Sequence, residues 1–191
     1  GYMTFIADLN VHSRYSRATS KQADLEGYFS WAQVKGIGLI GTGDFTHPEW
    51  FAEMKDKLEP EGNGFFRLRD EPPSGTAEGI KVRESDVRFC LSAEISSIYK
   101  KGDQVRKVHN LLFAPDFETA SRISARLGAI GNIQSYGRPI LGLDSRDLLE
   151  IVLEASDRAV LIPAHVWTPW FSLFGSKSGF DRVEECYDDL A

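Results

Sequence analysis

The segments IADLNVHS (residues 6–13) and GTGDFTHP (residues 41–48) each place metal-capable side chains directly after a short apolar run. The first apolar run, residues 5–11, and the second, residues 37–40, both predict strands. Between them, Asp24 is suited to cap a helix and Gly36 to end it, and the apolar residues are spaced for one buried face. The order strand, helix, strand predicts a βαβ unit with its chemistry at the carboxyl ends of the strands, where the βα loops open.

The rest of the chain also mixes strands and helices. Further helices are predicted at residues 48–58, 117–130, 145–155 and 180–190, and further strands at residues 87–99 and 105–114, with a buried-type strand at residues 159–166. Residues 59–85 are rich in Gly, Pro, Glu and Arg, which predicts a surface insertion with a short strand at residues 65–68. The fold class is therefore α/β. Residues 1–191 are expected to form one domain, short for a complete eight-stranded barrel.

The composition is that of an ordinary globular protein. Because 28 acidic residues outnumber 22 basic ones, giving a formal charge of −6, a wholly basic nucleic-acid-binding surface is excluded, whereas a local basic patch is not. Cys90 and Cys186 lie far apart and favour a reducing, cytoplasmic setting over a disulfide framework. No apolar run approaches the roughly 20 residues that cross a bilayer, and the amino terminus does not resemble a secretory signal. We therefore expect no membrane association, and no pattern specifies an oligomeric state.

The four histidines all lie at or near the carboxyl ends of predicted strands, and three carboxylates accompany them. The set consists of His12, His47, His109, His165, Asp8, Asp44 and Glu94. Imidazole and carboxylate together suit Zn²⁺, Mn²⁺ or Fe²⁺, and a set of this size can hold more than one ion. Any single histidine is more often a hydrogen-bonded structural residue, and Asp8 can orient a ligand instead of binding a metal. Glu94 is harder to explain as a structural residue, because a carboxylate in an apolar strand needs a partner, which a metal would supply.

Basic and aromatic residues lie near these candidate ligands in the sequence. Lys100 and Lys101, in the turn between two predicted strands, are candidates to contact phosphates, and a solvated hairpin tip is the alternative. The aromatic run WTPWF (residues 167–171) can stack on a nucleic-acid base if it is exposed, or pack into a core. The segment GSKSG (residues 175–179) lacks the spacing of a phosphate-binding loop and predicts a flexible connection.

The candidate ligands lie in motifs that resemble those of the polymerase and histidinol phosphatase (PHP) family of metal-dependent phosphoesterases. DLNVHS (residues 8–13) is similar to the family motif D-L-H-x-H-S, and GDF (residues 43–45) is similar to T-D-H, with His47 displaced. SAEI (residues 92–95) resembles the motif of the bridging glutamate, and VHN (residues 108–110) and AHV (residues 164–166) resemble the later histidine motifs. Within the family, the flanking sequences are similar to the amino-terminal part of the endonuclease Q branch.

This resemblance implies a distorted (βα)7 PHP-type barrel, incomplete at its carboxyl end, and two or three Zn²⁺ or Mn²⁺ ions in the complete domain. It implies a metal-dependent hydrolase that cleaves DNA phosphodiesters near deaminated or damaged bases, with DNA as its partner. The implied metal ligands are His12, Asp44, Glu94, His109 and His165, with Glu94 as the bridge and Glu94 and Asp44 as catalytic residues. Phosphate contacts are expected from Arg14, Arg17, Lys100 and Lys101.

Two departures from the family pattern leave other functions open. Asn10 stands where the family has a ligand histidine, and an amide oxygen is a poor substitute for imidazole, so this position is expected to bind metal weakly, differently or not at all. The family's final S-D-A-H motif has no counterpart in this sequence, which predicts that the chain is a fragment or a natural truncation. One alternative is therefore a chain that is inactive by itself. The competing functions are a non-catalytic metal- or nucleic-acid-binding module and a small-molecule phosphatase.

Overall fold

The structure is a computed structural model that describes residues 4–16, 23–72, 86–135 and 137–191. Within these ranges it contains eight strands, five α-helices and one 3₁₀ turn. In chain order they are β1 (Ile6–Asp8), α1 (Leu25–Lys35), β2 (Ile37–Gly41), α2 (Pro48–Lys57), β3 (Leu58–Gly62), β4 (Phe65–Leu68), β5 (Arg88–Lys101), β6 (Gln104–Ala114), α3 (Phe117–Gly128), β7 (Ile140–Leu141), α4 (Ser145–Ala155), β8 (Val160–Pro163), α5 (Val183–Tyr187) and the 3₁₀ turn Asp188–Leu190.

The βαβ unit predicted from the sequence is present. Strands β1 and β2 pair in parallel, and α1 connects them. Asp24 caps α1 by accepting a hydrogen bond from the backbone N–H of Gly27 (2.7 Å), and Gly36 ends the helix in the left-handed conformation at φ 70°. The helix buries Leu25, Phe29 and Ala32. Strand β1 is shorter than predicted, so residues 9–13 form a loop above the carboxyl end of the sheet.

The fourteen-residue strand β5 is the centre of the sheet. Its first residues pair in parallel with β2 and antiparallel with β4. From Leu91 to Lys101 it pairs antiparallel with β6, and at Ser96 and Ser97 it also pairs in parallel with β7. Strand β6 pairs in turn with β8, antiparallel. The result is a mixed α/β fold whose sheet curls into a half-barrel.

Strand β8 differs from the buried strand that the sequence predicts at residues 159–166. It ends at Pro163, and Val160 and Ile162 are 47% and 41% exposed. Among the described residues its pairing partner is β6, and the two exposed side chains, two residues apart, lie on the same face of β8. The prediction of a buried strand was therefore wrong for this segment.

The first part of the predicted surface insertion is a hairpin of the sheet. Strands β3 and β4 pair through a turn at Asn63 and Gly64, both at positive φ, and β4 pairs with β5. The hairpin buries Leu58, Phe66 and Leu68. Residues 73–85 of the predicted insertion lie outside the described residues. Three of the five residues of β3 are exposed, so its Pro and Glu residues resemble those of a surface loop and the sequence did not predict the strand.

Helices α3 and α4 pack against each other beside the sheet. Asp116 and Asp144 cap them, by accepting hydrogen bonds from the backbone N–H groups of Thr119 (2.7 Å) and Arg146 (2.8 Å). Their buried apolar side chains are Ala120, Ile123, Leu127, Leu148, Ile151 and Val152. The last predicted helix, residues 180–190, is reduced to α5 and the 3₁₀ turn. Among the described residues, no helix is both long enough and apolar enough to cross a membrane.

Candidate metal centre

The Glu94 carboxylate lies at the centre of a cluster of histidines. Its Oε2 is 3.1 Å from Nε2 of His12, and its Oε1 is 3.0 Å from Nδ1 of His109. Nε2 of His165 lies 3.7 Å from the same Oε1 and 3.1 Å from Nδ1 of His109. The two carboxylate oxygens therefore face different imidazoles, as a bridging carboxylate would.

Pairing between the strands brings these residues together. In the antiparallel ladder of β5 and β6, His109 is opposite Ser96 and Glu94 is opposite Leu111, so Glu94 and His109 are diagonal neighbours on one face. His165 follows β8 at φ 31°, and the backbone N–H of Ala164 donates to the carbonyl of His109 (2.9 Å). His12 comes from the loop after β1. The cluster thus draws on the ends of β1 and β8 and on the middle of β5 and β6.

The spacing of the ligand atoms suits a metal ion. Nitrogen and oxygen ligands bind Zn²⁺ at about 2.0–2.2 Å, so the ligand atoms around one ion are about 3–4 Å apart. The separations among Glu94 Oε1, His109 Nδ1 and His165 Nε2 are 3.0, 3.1 and 3.7 Å, and we call these three atoms the first subsite. Glu94 Oε2 and His12 Nε2, 3.1 Å apart, form the second subsite.

The buried polar atoms of the cluster support the same interpretation. Both oxygens of Glu94 and Nδ1 of His12 are buried and receive no hydrogen bond of acceptable geometry. The charged neighbours of these atoms do not offer well-directed hydrogen bonds, and burying polar atoms without such bonds is costly. A cation between the carboxylate and the imidazoles would satisfy them, and the residues present therefore fit a metal.

Asp44 holds the loop that carries His12. Its Oδ2 accepts hydrogen bonds from the backbone N–H (2.9 Å) and the hydroxyl (2.6 Å) of Ser13, and its Oδ1 lies 4.0 Å from Nδ1 of His12. Asp44 itself is at φ 51° and follows Gly43 at φ 67°. A Cβ at Gly43 would collide with the carbonyl oxygen of Val11. The glycine therefore lets the two loops approach closely enough to place Asp44 beside His12.

The charges of the cluster shift its pKa values in opposite directions. Asp44 first and Glu94 second raise the pKa of His12 to about 9 against the effect of burial. Burial alone would raise the pKa of Glu94, but His109, His12 and the charge of Arg138 together lower it below its ordinary value. Burial lowers the pKa of His109 although Glu94 opposes this. A negative Glu94 and a neutral His109 are the forms that bind a metal.

Sequence reasoning missed Arg138. Its Nε lies 3.6 Å from Glu94 Oε2, and its Nη1 lies 3.1 Å from Nδ1 of His109. It belongs to the irregular segment before β7, a two-residue strand that the sequence did not predict. A lone arginine between a helix and a short strand carries no recognisable signal.

Three more of the predicted site residues, Asn10, Arg14 and Arg17, follow β1 in the sequence. Asn10 is exposed, and its backbone N–H donates to Oδ1 of Asp8 (3.4 Å). Arg14 pairs with Glu53 through Nη2 (2.6 Å). Arg17 lies outside the described residues.

The two lysines at the end of β5, just before the turn to β6, differ from each other. Lys100 is exposed, whereas Lys101 pairs with Asp188 (2.7 Å). These observations do not test a role of either lysine in phosphate binding, which stays a prediction.

His47 is buried at the start of α2, where its ring stacks on Tyr15 with the centroids 4.3 Å apart.

The aromatic run after His165 forms one rim of the cluster. The Phe171 ring lies 4.6 Å from that of His109 between centroids, whereas Trp167 and Trp170 are 77% and 51% exposed. Lys107 Nζ lies 5.1 Å from the centre of the Trp170 ring. Of the two interpretations left open by the sequence, exposure rather than core packing describes both tryptophans.

The chain is similar in structure to known proteins. No family model matches the chain. The crystal structure of the novel lesion-specific endonuclease PfuEndoQ from Pyrococcus furiosus superposes with a TM-score of 0.75 at 29% identity, covering 98% of this chain and 40% of that one. A structure of Endonuclease Q in complex with a 27-mer duplex substrate that has an abasic lesion at the active site gives the same TM-score and identity, covering 97% and 40%.

A curated relative adds to the comparison with the two endonuclease Q structures. An uncharacterized protein of Methanocaldococcus jannaschii is 28% identical over 177 residues, which is 92% of this chain and 18% of that protein. The chain therefore spans less than half the length of each of these proteins. Its fold is similar to that of endonuclease Q over nearly the whole of its own length.

Proposed function

We propose that this chain is the metal-binding part of a phosphoesterase of the PHP type, an endonuclease that hydrolyses DNA phosphodiesters near deaminated or damaged bases. The observation that carries the proposal is the buried Glu94 carboxylate, whose oxygens face His12 on one side and His109 on the other at 3.1 and 3.0 Å. The similarity to endonuclease Q at 29% identity supports the choice of DNA as substrate.

In this proposal the ligands divide between the two subsites. Glu94 bridges them, His109 and His165 complete the first, and His12 belongs to the second with Asp44 beside it. Bound Zn²⁺ or Mn²⁺ would supply a nucleophilic hydroxide and stabilise the charge that develops on the phosphate oxygens. Asp44 orients His12 and keeps its loop in place through Ser13, and Asp44 is also a candidate ligand. Asn10 is the position where a further ion would be held weakly.

The surface beside the cluster suits nucleic acid better than a small phosphomonoester. Trp167 and Trp170 offer exposed rings for stacking on unpaired bases, and Lys107 beside Trp170 offers a positive charge. Arg14, Arg17, Lys100 and Lys101 are retained as proposed phosphate contacts.

The test is metal content combined with DNA cleavage. Elemental analysis of protein purified without added metal is expected to give two or more equivalents of metal per chain, and the metal-loaded protein is expected to nick a duplex with a deaminated or abasic site. Glu94→Gln removes the bridging charge and is expected to lose both properties. Glu118→Gln, which changes an exposed carboxylate paired with Arg122 on α3, is the matched control and is expected to retain both.

Other outcomes would favour the competing functions. Metal binding with tight but uncleaved DNA would indicate a non-catalytic binding module, for which the exposed Asn10 in place of a ligand histidine is the supporting observation. Hydrolysis of a phosphomonoester without DNA binding would indicate a small-molecule phosphatase. DNA binding that weakens steeply with salt separates the first case from the second, because phosphate contacts release counterions.

The proposal also covers the architecture of the complete domain and its cellular setting. We infer a distorted (βα)7 barrel in the complete domain, with residues 1–191 as one PHP-like unit and an insertion at about residues 59–85. A reducing, cytoplasmic setting is supported by the two free and buried cysteines, Cys90 and Cys186.

A further inference from the structure

We propose that Arg138 binds the phosphate group of the substrate at the metal centre. This inference rests on the proposed function and extends it to a residue outside all the recognised motifs. The guanidinium lies beside one buried ligand of each subsite, with Nη1 3.1 Å from His109 Nδ1 of the first and Nε 3.6 Å from Glu94 Oε2 of the second. A side chain in this position is within reach of a group bound at the centre.

The backbone on either side of Arg138 is fixed. The backbone N–H of Gly137 donates to the carbonyl of Tyr15 (2.9 Å), and the backbone N–H of Ser96 donates to the carbonyl of Pro139 (2.9 Å). Ser96 lies on β5 two residues after Glu94, so the second bond ties the segment to the strand that carries the bridging carboxylate. Arg138 is therefore held in position before any ligand arrives, which lowers the entropic cost of binding.

The contacts of the guanidinium explain why it is available to a phosphate. Its neighbours, His109 Nδ1 and Glu94, are the same groups that a metal would take as ligands. Once the lone pair of His109 Nδ1 is directed to a metal, Arg138 loses this acceptor, because a guanidinium donates hydrogen bonds and cannot accept them. The side chain is 36% exposed, so it is open to an anion that enters from solvent, and its planar fork suits two phosphate oxygens at once.

The charge of the site favours an anion as well. Glu94 and Asp44 contribute two negative charges, which neutralise only half of the charge of two divalent ions. Arg138 adds a further positive charge at the same place. A phosphate oxygen bound between the metal and the guanidinium would balance this excess and stabilise the charge that grows on it during hydrolysis.

The test measures the affinity of inorganic phosphate by isothermal titration calorimetry, with the chain loaded with Zn²⁺ or Mn²⁺. In Arg138→Met the dissociation constant of phosphate is expected to rise about tenfold or more, since hydrogen bonds to charged groups contribute that much to binding. Arg138→Lys keeps the charge but not the fork and is expected to lie between the two. Metal content by elemental analysis and the thermal unfolding midpoint are expected to stay at parental values in both variants.

Arg122→Met is the matched control, because Arg122 is an exposed arginine paired with Glu118 on α3, and it is expected to bind phosphate like the parent. Equal phosphate affinity in the parent and Arg138→Met, or no phosphate binding by the parent, would overturn the inference. Loss of metal in Arg138→Met would also overturn it, because Arg138 would then act by holding the ligands. If phosphate affinity depends on Arg138 but no DNA is cleaved, the proposed endonuclease activity fails while this inference stands.

Discussion

At the scale of single residues, Glu94 combines two conditions that rarely occur together. It is buried, which by itself favours the neutral acid, yet the neighbouring imidazoles and Arg138 lower its pKa below the ordinary value. A carboxylate kept negative in the interior is a strong cation ligand. The two subsites differ in their other members, so they can be removed one at a time.

We predict that His12→Gln and His165→Gln each lower the metal content by about one equivalent per chain, because the second subsite then has no imidazole and the first keeps only His109 beside Glu94. Elemental analysis after dialysis against metal-free buffer measures this. His47→Gln is the control, since His47 is stacked on Tyr15 at the start of α2, and its metal content is expected to equal that of the parent. The division into two subsites is wrong if His47→Gln loses as much metal as His12→Gln.

At the scale of secondary-structure elements, the centre depends on a close approach of the loops after β1 and β2. Gly43 permits this contact because its φ of 67° suits glycine and because a Cβ there would collide with the carbonyl oxygen of Val11. Gly36 has nearly the same φ, 70°, but a Cβ there would have no atom within 4 Å. An alanine at Gly36 would therefore cost only backbone strain, whereas an alanine at Gly43 would cost both backbone strain and a steric collision.

We predict that Gly36→Ala destabilises the fold by about 1 kcal/mol, the usual cost of a left-handed alanine, whereas Gly43→Ala costs more and also lowers metal affinity. Urea unfolding and metal titration measure the two effects. Equal losses of stability with unchanged metal affinity would show that the loops tolerate the added methyl group.

The caps of the helices act at the same scale. We predict that Asp116→Ala destabilises the protein by about 1 kcal/mol, because the first turn of α3 loses the hydrogen bond to the N–H of Thr119. Asp116→Asn keeps an acceptor and is expected to lose much less. Urea unfolding at pH 7 compares the variants, and similar losses in both would assign the effect to charge rather than to the cap.

At the scale of the whole molecule, the sheet forms a half-barrel with a dense core and one open side. The core includes both cysteines, and burial raises the pKa of Cys90 to about 12 and that of Cys186 to about 11, from ordinary values of 9.0. The folded state therefore keeps protons that the unfolded chain releases above about pH 9. This stabilisation is complete below the pKa of the unfolded thiols and is lost as the pH rises through the folded values.

We predict that the free energy of unfolding falls between pH 9 and pH 11, by up to about 1.4 kcal/mol per pH unit for each buried thiol. Urea unfolding at pH 8, 9, 10 and 11 measures the slope. Cys90→Ala is expected to have a shallower slope than the parent, because one titrating group is removed. A stability that is constant or rises over this range would contradict the burial of the thiols.

The sequence predicted the local elements well where the pattern was regular. The caps of α1, the boundaries of α4 and the long strands β5 and β6 followed from residue spacing. It missed β3, whose Glu and Pro residues resemble a loop, and it predicted the strand β8 but not the exposure of Val160 and Ile162. The hydrophobic periodicity of a segment indicates which secondary structure it can form. Its contacts with distant segments decide whether its apolar side chains are buried.

The sequence by itself determined the candidate ligands, because imidazoles and carboxylates in or beside apolar runs are recognisable by residue type. The expectation that all four histidines lie at or near carboxyl ends of strands was wrong for His109, which lies in the middle of β6. Only the tertiary structure decided the arrangement of these ligands. The register of β5 and β6 sets Glu94 diagonal to His109, and the bonds of Gly137 and Pro139 bring Arg138 to the same carboxylate. Glu94 and His109 belong to one hairpin, but the bonds of Gly137 to Tyr15 and of Pro139 to Ser96 join distant parts of the chain, which no local pattern encodes.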